Sequence, residues 1–273
     1  MKRLVAFALF IWIEATPAWP QVSFVSLPRK VVEARLKTTK MRNNERQSEL
    51  RTLFQDVGCS ERLSEQEVKG SKLGNLVCVL PGLSDEIIVV GAHFDQVDAG
   101  KGIVDNWSGA ALLPSLYESL KGEPRKHTFI FIGFTDEEKG LVGSRYYAGH
   151  LSKEAVSKIE AMVNMDTLGL STTKVWVSHA DKNLVTAVGL VAHGMSLPIQ
   201  GVNVEKIGST DSESFAARKI PSITIHSLTQ ETLPILHSQK DDINAIKIDD
   251  YYDTYRLIAA YLAYLDKTLV PRT

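Results

Sequence analysis

Residues 86–95, EIIVVGAHFD, place an apolar, β-branched run directly before a histidine and an aspartate. A run of this kind is typical of a strand that is buried on both faces of a parallel sheet. Residues 127–134, HTFIFIGF, have the same character and are followed by Asp136-Glu137-Glu138. Open α/β sheets bind ligands beyond the carboxyl ends of their strands. The two runs therefore predict the fold and also the edge of the sheet where the chemistry takes place.

The rest of the chain predicts further strands and helices around these two runs. The predicted strands lie at residues 75–80, 161–165, 174–177 and 222–225, and the predicted helices at 108–120, 183–195 and 249–265. Residues 28–57 predict one or two amphipathic surface helices, and Pro114 predicts a kink. Apolar strands that alternate with helices indicate an α/β fold, with a single three-layer α/β/α domain and a mostly parallel mixed central sheet.

Composition excludes several classes of protein. The chain has 273 residues, of which 44% are hydrophobic and 23% are charged. These values are ordinary for a folded soluble protein and exclude a disordered chain, a collagen-like fibre and a polytopic membrane protein. Thirty-one Lys and Arg against 32 Asp and Glu give a net charge of −1. Because nucleic-acid binders normally carry a basic excess, we expect no nucleic-acid partner.

The N-terminus has the pattern of a secretory signal peptide. Lys2 and Arg3 precede the apolar run LVAFALFIWI, and small residues follow at 16–18. Ten apolar residues fall short of the roughly 20 that span a bilayer, so we expect no stable membrane anchor after cleavage. We predict a signal peptide at 1–18, a mature domain at 19–273 with its core at about 75–268, and a secreted or periplasmic protein. An oxidising compartment favours a disulfide between Cys59 and Cys78, the two cysteines of the chain.

Histidines and carboxylates follow the predicted strands repeatedly. They are His93, Asp95, Asp105, Glu137, Glu138, Asp166 and His237. Each has a structural alternative when it is taken singly, such as a surface histidine, a helix cap or a solvated acidic turn. Two histidines with several carboxylates suit a borderline divalent metal such as zinc. The number of candidate ligands exceeds what one tetrahedral zinc with a water needs, and it suits two metals that share a carboxylate.

Four segments resemble a known family when they are taken together. GAHFDQVDAGKGIVDNWSGA, FTDEEKGLVGS, NMDTLG and ILHSQKDD are similar, in order and spacing, to the co-catalytic zinc aminopeptidase family of clan MH, which has glutaminyl cyclases as relatives. The resemblance runs from about Asn75 to the C-terminus. It implies a zinc-peptidase fold of the phosphorylase/hydrolase-like kind.

The resemblance also implies a role for each candidate residue. One zinc would be bound by His93, Asp105 and Asp166, and the second zinc by Asp105, Glu138 and His237. Glu137 would be the general base, and Asp95 the partner of the imidazole of His93. The chain departs from the family at Thr210-Asp211-Ser212, where the family often has Ser-Asp-His.

The sequence therefore predicts a secreted di-zinc metallopeptidase that hydrolyses peptide bonds. The expected activity is that of an aminopeptidase, which takes the N-termini of peptides or proteins as substrate and uses a metal-bridging water activated by Glu137. One alternative is a glutaminyl cyclase-like acyltransferase that forms N-terminal pyroglutamate with one zinc. Another is an inactive binding domain of the same fold. The side-chain preference, the choice among amino-, di- and carboxypeptidase, and the oligomeric state stay open.

Overall fold

The computed structural model describes residues 22–37, 42–204 and 208–272, so the predicted signal peptide at 1–18 lies outside the described residues. The strands are β1 (Leu63–Gln66), β2 (Asn75–Leu80), β3 (Ile87–His93), β4 (Thr128–Phe134), β5 (Ile159–Met165), β6 (Thr173–Val175), β7 (Ile199–Gly201) and β8 (Ser222–His226). The helices are α1 (Arg29–Leu36), α2 (Asn43–Asp56), α3 (Ser108–Ala110), α4 (Leu112–Lys121), α5 (Val142–His150), α6 (Lys153–Lys158), α7 (Lys182–Gly194), α8 (Ser212–Ala216) and α9 (Ile248–Thr268).

The strands form one eight-stranded mixed sheet in the order β1-β2-β4-β3-β5-β8-β6-β7. Its centre is parallel, since β4, β3, β5 and β8 run in the same direction. Antiparallel pairs occur toward the edges, where β2 pairs with β4 and with β1, and β6 pairs with β8. The predicted α/β class with a mostly parallel mixed sheet is confirmed.

Strand β3 shows how the sheet buries both of its faces. Ile88 and Val90 belong to the core that includes α4 and α9, while Val89 belongs to the core on the opposite face with Ala148 of α5 and Phe215 of α8. Successive side chains of a strand point to opposite faces, so one apolar run supplies both layers. Each fully buried aliphatic side chain contributes roughly 1.5–3 kcal/mol to the hydrophobic stabilisation of the fold.

The structure differs from the sequence prediction in several elements. Strands β1 and β7 and helices α5, α6 and α8 were not predicted, and the helix expected at 108–120 is interrupted at Ala111. Pro114 has no N–H to donate to the carbonyl of Ala110, which explains why the helix is interrupted there. The segment expected to form surface helices contains Arg46, which is fully buried.

Cys59 and Cys78 form a disulfide, with their Cα atoms 6.3 Å apart. It joins the chain just after α2 to strand β2, across a separation of 19 residues. Both cysteines are buried. The bond therefore fastens the N-terminal helices to the sheet.

We expect the double variant Cys59→Ala/Cys78→Ala to lose about 3 kcal/mol of unfolding free energy, because the unfolded chain regains the entropy of an open loop. For a domain of this size that loss lowers Tm by roughly 6–12 °C. Thermal unfolding of the variant and of the oxidised parent measures the difference. An unchanged Tm would contradict a stabilising role for the bond.

Candidate metal centre

Three parallel strands bring several of the candidate side chains to one edge of the sheet. Strand β3 ends at His93, and β5 ends one residue before Asp166. Strand β4 ends at Phe134, and the turn that follows it carries Glu137 and Glu138. Because β3, β4 and β5 are parallel, their carboxyl ends meet at the same place.

The carboxylate of Asp105 lies between the two histidines. Its Oδ1 is 3.3 Å from Nε2 of His93, and its Oδ2 is 3.3 Å from Nε2 of His237. His93 is buried at the end of its strand, whereas His237 lies on a loop and is half exposed. Each carboxylate oxygen of Asp105 thus faces a different imidazole.

The remaining candidate ligands divide between the two histidines. Asp166 Oδ1 and Glu137 Oε2 lie 3.7 Å and 3.9 Å from Nε2 of His93, and Glu138 Oε2 lies 3.0 Å from Nε2 of His237. The ligand atoms of His93, Glu137 and Asp166 lie within 4.8 Å of one another, as do those of Asp105, Glu138 and His237.

These separations fit zinc. Two ligands bound tetrahedrally at 2.0–2.2 Å from one ion lie about 3.3–3.6 Å apart. Glu138 Oε1 is also buried without a hydrogen-bond partner among the described residues, so its lone pairs are available to coordinate a cation. The sequence-predicted ligands His93, Asp105, Glu138, Asp166 and His237 are therefore brought together in an arrangement that could hold two cations.

Asp95 supports both sides of the site. Its Oδ1 lies 3.4 Å from Nδ1 of His93, the imidazole whose partner the sequence predicts it to be. Its carboxylate also accepts the main-chain N–H of Glu137 at 3.1 Å and of Glu138 at 3.2 Å. A single buried carboxylate thus holds the acidic turn after β4 by two hydrogen bonds and places a negative charge beside the imidazole of His93.

Asn106, which follows Asp105 across a cis peptide bond, ties this segment to the end of β5. Its side-chain amide donates to the carbonyl of Met165 at 2.8 Å, and its Oδ1 accepts the N–H groups of Gly109 and Thr167. A Cβ at residue 109 would lie only 2.5 Å from Oδ1 of Asn106. The Asp-Asn-x-Ser-Gly pattern therefore requires glycine at its last position.

Asp166 is held by Thr210, whose contact the sequence did not predict, and Thr210 is in turn held by Asn164. The hydroxyl of Thr210 donates to Asp166 Oδ2 at 2.9 Å, and the side-chain amide of Asn164 donates to that hydroxyl at 2.7 Å. Thr210 stands where the family often has serine, so the departure noted in the sequence keeps the hydroxyl that this contact uses.

Burial and hydrogen bonding in the cluster shift the pKa values of its acidic and histidine side chains. Burial raises the pKa of Glu137 to about 10 and that of Glu138 to about 7. Asp211 is fully buried, neither of its side-chain oxygens has a hydrogen-bond partner among the described residues, and burial raises its pKa to about 7. A hydrogen bond with Asp105 raises the pKa of His237 to about 9. In the absence of cations, the site therefore retains protons at neutral pH.

A cleft of about 540 Å³ opens on the cluster. Five apolar side chains line it beside the acidic groups, namely Trp176, Val204, Leu228, Leu233 and Leu236. His226 also lines the cleft, with Nε2 3.3 Å from the carbonyl of Val202 and Nδ1 accepting the N–H of Leu228. Burial lowers the pKa of His226 to about 4, so this part of the wall is uncharged at neutral pH.

Other polar and aromatic residues of the motifs have structural roles. Trp107 is fully buried in the core. The hydroxyl of Ser108 donates to the carbonyl of Val104, and that of Ser144 pairs with the hydroxyl of Ser214. Neither serine hydroxyl has a histidine among its hydrogen-bond partners within residues 22–37, 42–204 and 208–272, so neither has the partner that activates a nucleophilic serine.

Fold and site together define a class: α/β proteins that gather histidines and carboxylates at the carboxyl edge of a parallel sheet to bind metal. Residues 75–262 match the family described as Peptidase family M28. The chain belongs to this family, and the resemblance inferred from its motifs is confirmed.

Two relatives illustrate the match. The chain is 29% identical over 183 residues to aminopeptidase YwaD of Bacillus subtilis, a stretch that covers 64% of this chain and 40% of the relative. It is 25% identical to the solved structure of a zinc aminopeptidase from Bacillus subtilis, with a TM-score of 0.65, covering 71% of this chain and 50% of that one. The matched stretch spans about two fifths of the length of each of the first two curated relatives, and less of the other relatives.

A glutaminyl cyclase from an Acidobacteriales bacterium shares the fold. Its TM-score is 0.72 at 16% identity, and the match covers 88% of this chain and 93% of that one. At this identity the likeness concerns the fold alone.

Proposed function

We propose that the chain is a zinc-dependent aminopeptidase that binds two zinc ions and releases N-terminal residues from peptides. The position of Asp105 supports the proposal most directly, because one carboxylate faces two separate sets of ligands. The first set is His93, Asp105 and Asp166, and the second is Asp105, Glu138 and His237. Membership of Peptidase family M28 supports the same chemistry.

Zinc ions bound there would polarise the scissile carbonyl and acidify a water molecule. Glu137 lines the cleft beside His93 and is not needed to complete either set of three ligands. In our proposal it takes the proton of the attacking water and later delivers it to the leaving amine. Asp95 orients the imidazole of His93 and, through the main-chain N–H groups, the turn that presents Glu137.

The apolar side of the cleft supports a preference for a first residue with an apolar side chain. Trp176, Val204 and Leu228 line the cleft, and His226 beside them is neutral. A charged side chain placed against these groups would lose its hydration without gaining a partner. We expect kcat/KM for a leucyl substrate to exceed that for a glutamyl substrate by at least about 10–100-fold.

A substrate panel tests the proposed activity. Zinc-loaded protein is assayed on Leu-, Phe-, Glu- and Lys-initiated peptides, on their N-acetylated forms and on peptides that begin with Gln, before and after treatment with a chelator. We expect cleavage of free leucyl and phenylalanyl peptides, inhibition by the chelator and recovery with zinc. Hydrolysis of the blocked peptides from their C-terminus, or pyroglutamate formation from Gln peptides, would overturn the aminopeptidase assignment.

The metal-free protein should lose stability as pH rises from about 5 to 8. The pKa values of Glu137 and Asp211 are raised to about 10 and about 7 in the fold, so the folded state holds protons that the unfolded chain releases near pH 4. Each such proton lowers the unfolding free energy by about 1.4 kcal/mol per pH unit, and the loss proceeds until the pH passes the raised pKa.

Urea unfolding of chelator-treated protein at pH 5, 6, 7 and 8 measures this slope. Metal-free Glu137→Gln is the matched control. Its unfolding free energy should fall less steeply with pH, by about 1.4 kcal/mol per pH unit, because one retained proton is missing. A metal-free stability that stays level or increases over this range would contradict the proton retention at the site.

We also propose that the protein is secreted or periplasmic and that residues 1–18 are removed as a signal peptide. The disulfide between Cys59 and Cys78 supports an oxidising compartment. Within the described part of the chain, no helix is long and apolar enough to cross a bilayer. The mass of the protein recovered from the periplasm or medium tests the cleavage, and an uncleaved chain would contradict it.

A further inference from the structure

Arg46 is a buried cation on a helix that the sequence predicted to be at the surface. It lies on α2, outside residues 75–262 that match the family, and it is fully buried. Its guanidinium donates through Nη1 to the carbonyls of Gly102 at 3.0 Å and Phe94 at 3.3 Å. Through Nη2 it donates to the carbonyl of Lys101. All three acceptors are main-chain atoms of a single segment.

That segment connects two candidate metal ligands. Phe94 directly follows His93, and Gly102 precedes Asp105 by three residues, with Gly102 in the left-handed region at φ 52°. One guanidinium thus holds both ends of the connection between the end of β3 and the carboxylate that faces both histidines.

The segment that Arg46 holds also forms hydrogen bonds with the loop that carries His237. The N–H of Lys101 donates to the carbonyl of Asp241 at 2.8 Å. The carboxylate of Asp241 accepts the N–H of Val104 at 2.7 Å and the N–H of Asp105 at 3.2 Å. Asp241 follows His237 by four residues, so the segment held by Arg46 is also bonded to the loop of the second histidine.

The surroundings of Arg46 suit a charged side chain. Burial lowers the pKa of Arg46 to about 10, and the guanidinium is therefore still protonated at neutral pH. Asp95, Asp105, Glu138 and Asp241 are the acids whose charge favours the protonated form. The guanidinium also lies 5.8 Å from the ring centroid of Trp107. A buried charge is costly unless hydrogen bonds and opposite charges compensate it. Here the three main-chain carbonyls supply the hydrogen bonds, and the four acids supply the opposite charges.

We propose that Arg46 is a positioning residue of the metal centre, which holds the main chain from Phe94 to Gly102 so that His93, Asp105 and His237 converge on the metal ions. The proposal rests on the proposed metal site, but it concerns metal affinity and does not depend on which substrate is cleaved. It makes α2 part of the functional unit, although this helix precedes the segment that defines the family.

Zinc affinity of the full chain tests the proposal. Arg46→Met and Arg46→Lys are titrated with zinc in competition with a chromophoric chelator, at a temperature where circular dichroism shows the metal-free proteins to be folded. We expect zinc to bind Arg46→Met 10–100-fold more weakly, the usual effect of removing a group that orients ligands. Arg51→Met is the matched control on the same helix, since Arg51 is partly exposed and pairs with Glu65, and its affinity should not change.

Arg46→Lys separates the contacts from the charge. Lysine keeps the positive charge but lacks the planar fork that reaches three carbonyls, so its zinc affinity should also fall. If Arg46→Met does not fold, Arg46→Lys decides the question alone. Parental affinity in a folded Arg46→Met or Arg46→Lys variant would overturn the proposal. The proposed peptidase activity fails on a different result, namely zinc-loaded parent protein that cleaves no peptide.

Discussion

Glu137→Gln should lower kcat by about 10²–10⁴-fold, the usual contribution of a general base, while the protein keeps its zinc. Glutamine has nearly the same shape as glutamate but cannot accept the proton of the attacking water. The proposed ligand sets around His93 and His237 are complete without Glu137, so we expect its replacement to leave the metals in place. Initial rates on a leucyl peptide, with zinc counted per chain by mass spectrometry on the same sample, measure both parts of the prediction.

Glu231→Gln serves as the control, because Glu231 is exposed and lies outside the cluster. Its kcat should match that of the parent. A Glu137→Gln variant with normal turnover and full zinc would remove Glu137 from the role of base. A variant with low turnover that has also lost zinc would instead place Glu137 among the ligands. Because Glu137 Oε2 lies 3.9 Å from His93 Nε2, it would then be a ligand of the ion bound by His93.

Asp105→Ala should affect both metals at once. Because Asp105 places one oxygen opposite each histidine, its removal takes a ligand from both proposed sets. We expect bound zinc to fall from two per chain to less than one, and kcat/KM to fall at least about 10³-fold, equivalent to the several kcal/mol that metal ions contribute. The stabilisation by zinc, about 4 kcal/mol at a thousandfold excess over Kd, should be lost as well.

Two further variants serve as controls for Asp105→Ala. Asp98→Asn changes an exposed aspartate of the same segment and should leave zinc content and kcat/KM unaltered. His237→Ala removes one ligand of the second set only and should leave one zinc bound. If Asp105→Ala lost a single zinc, as His237→Ala does, the carboxylate would belong to one site and the shared arrangement would be wrong.

The central strands could be predicted because strands buried on both faces have a recognisable sequence pattern. Strand β2 was predicted with its exact bounds, and β3 and β4 to within one residue, since strands buried on both faces are continuous apolar runs. Strands β1 and β7 have no such run, because each lies at an edge of the sheet and is mostly exposed. Helix α8 is five residues long, too short for a helical period to appear.

The candidate ligands could be predicted because each follows a strand or stands in a motif of fixed spacing. The groups that orient them could not. Thr210 and Asp241 act through hydrogen bonds across long separations in the chain, 44 residues from Asp166 and 136 residues from Asp105. Arg46 sits on an amphipathic helix where a charged residue normally faces solvent, so its sequence context indicates exposure. Only the packing of α2 onto the segment after β3 reveals its contacts.

The two sides of the cleft are built from separate parts of the protein. Most candidate ligands are attached to strand ends and to main chain held by Asn106 and Asp95, whereas Trp176, Val204 and Leu228 come from segments around β6, β7 and β8. A mutant library restricted to those three positions could therefore redirect selectivity toward other amino acids without touching a metal-binding atom. Such a separation makes the scaffold a practical starting point for peptidases with altered selectivity.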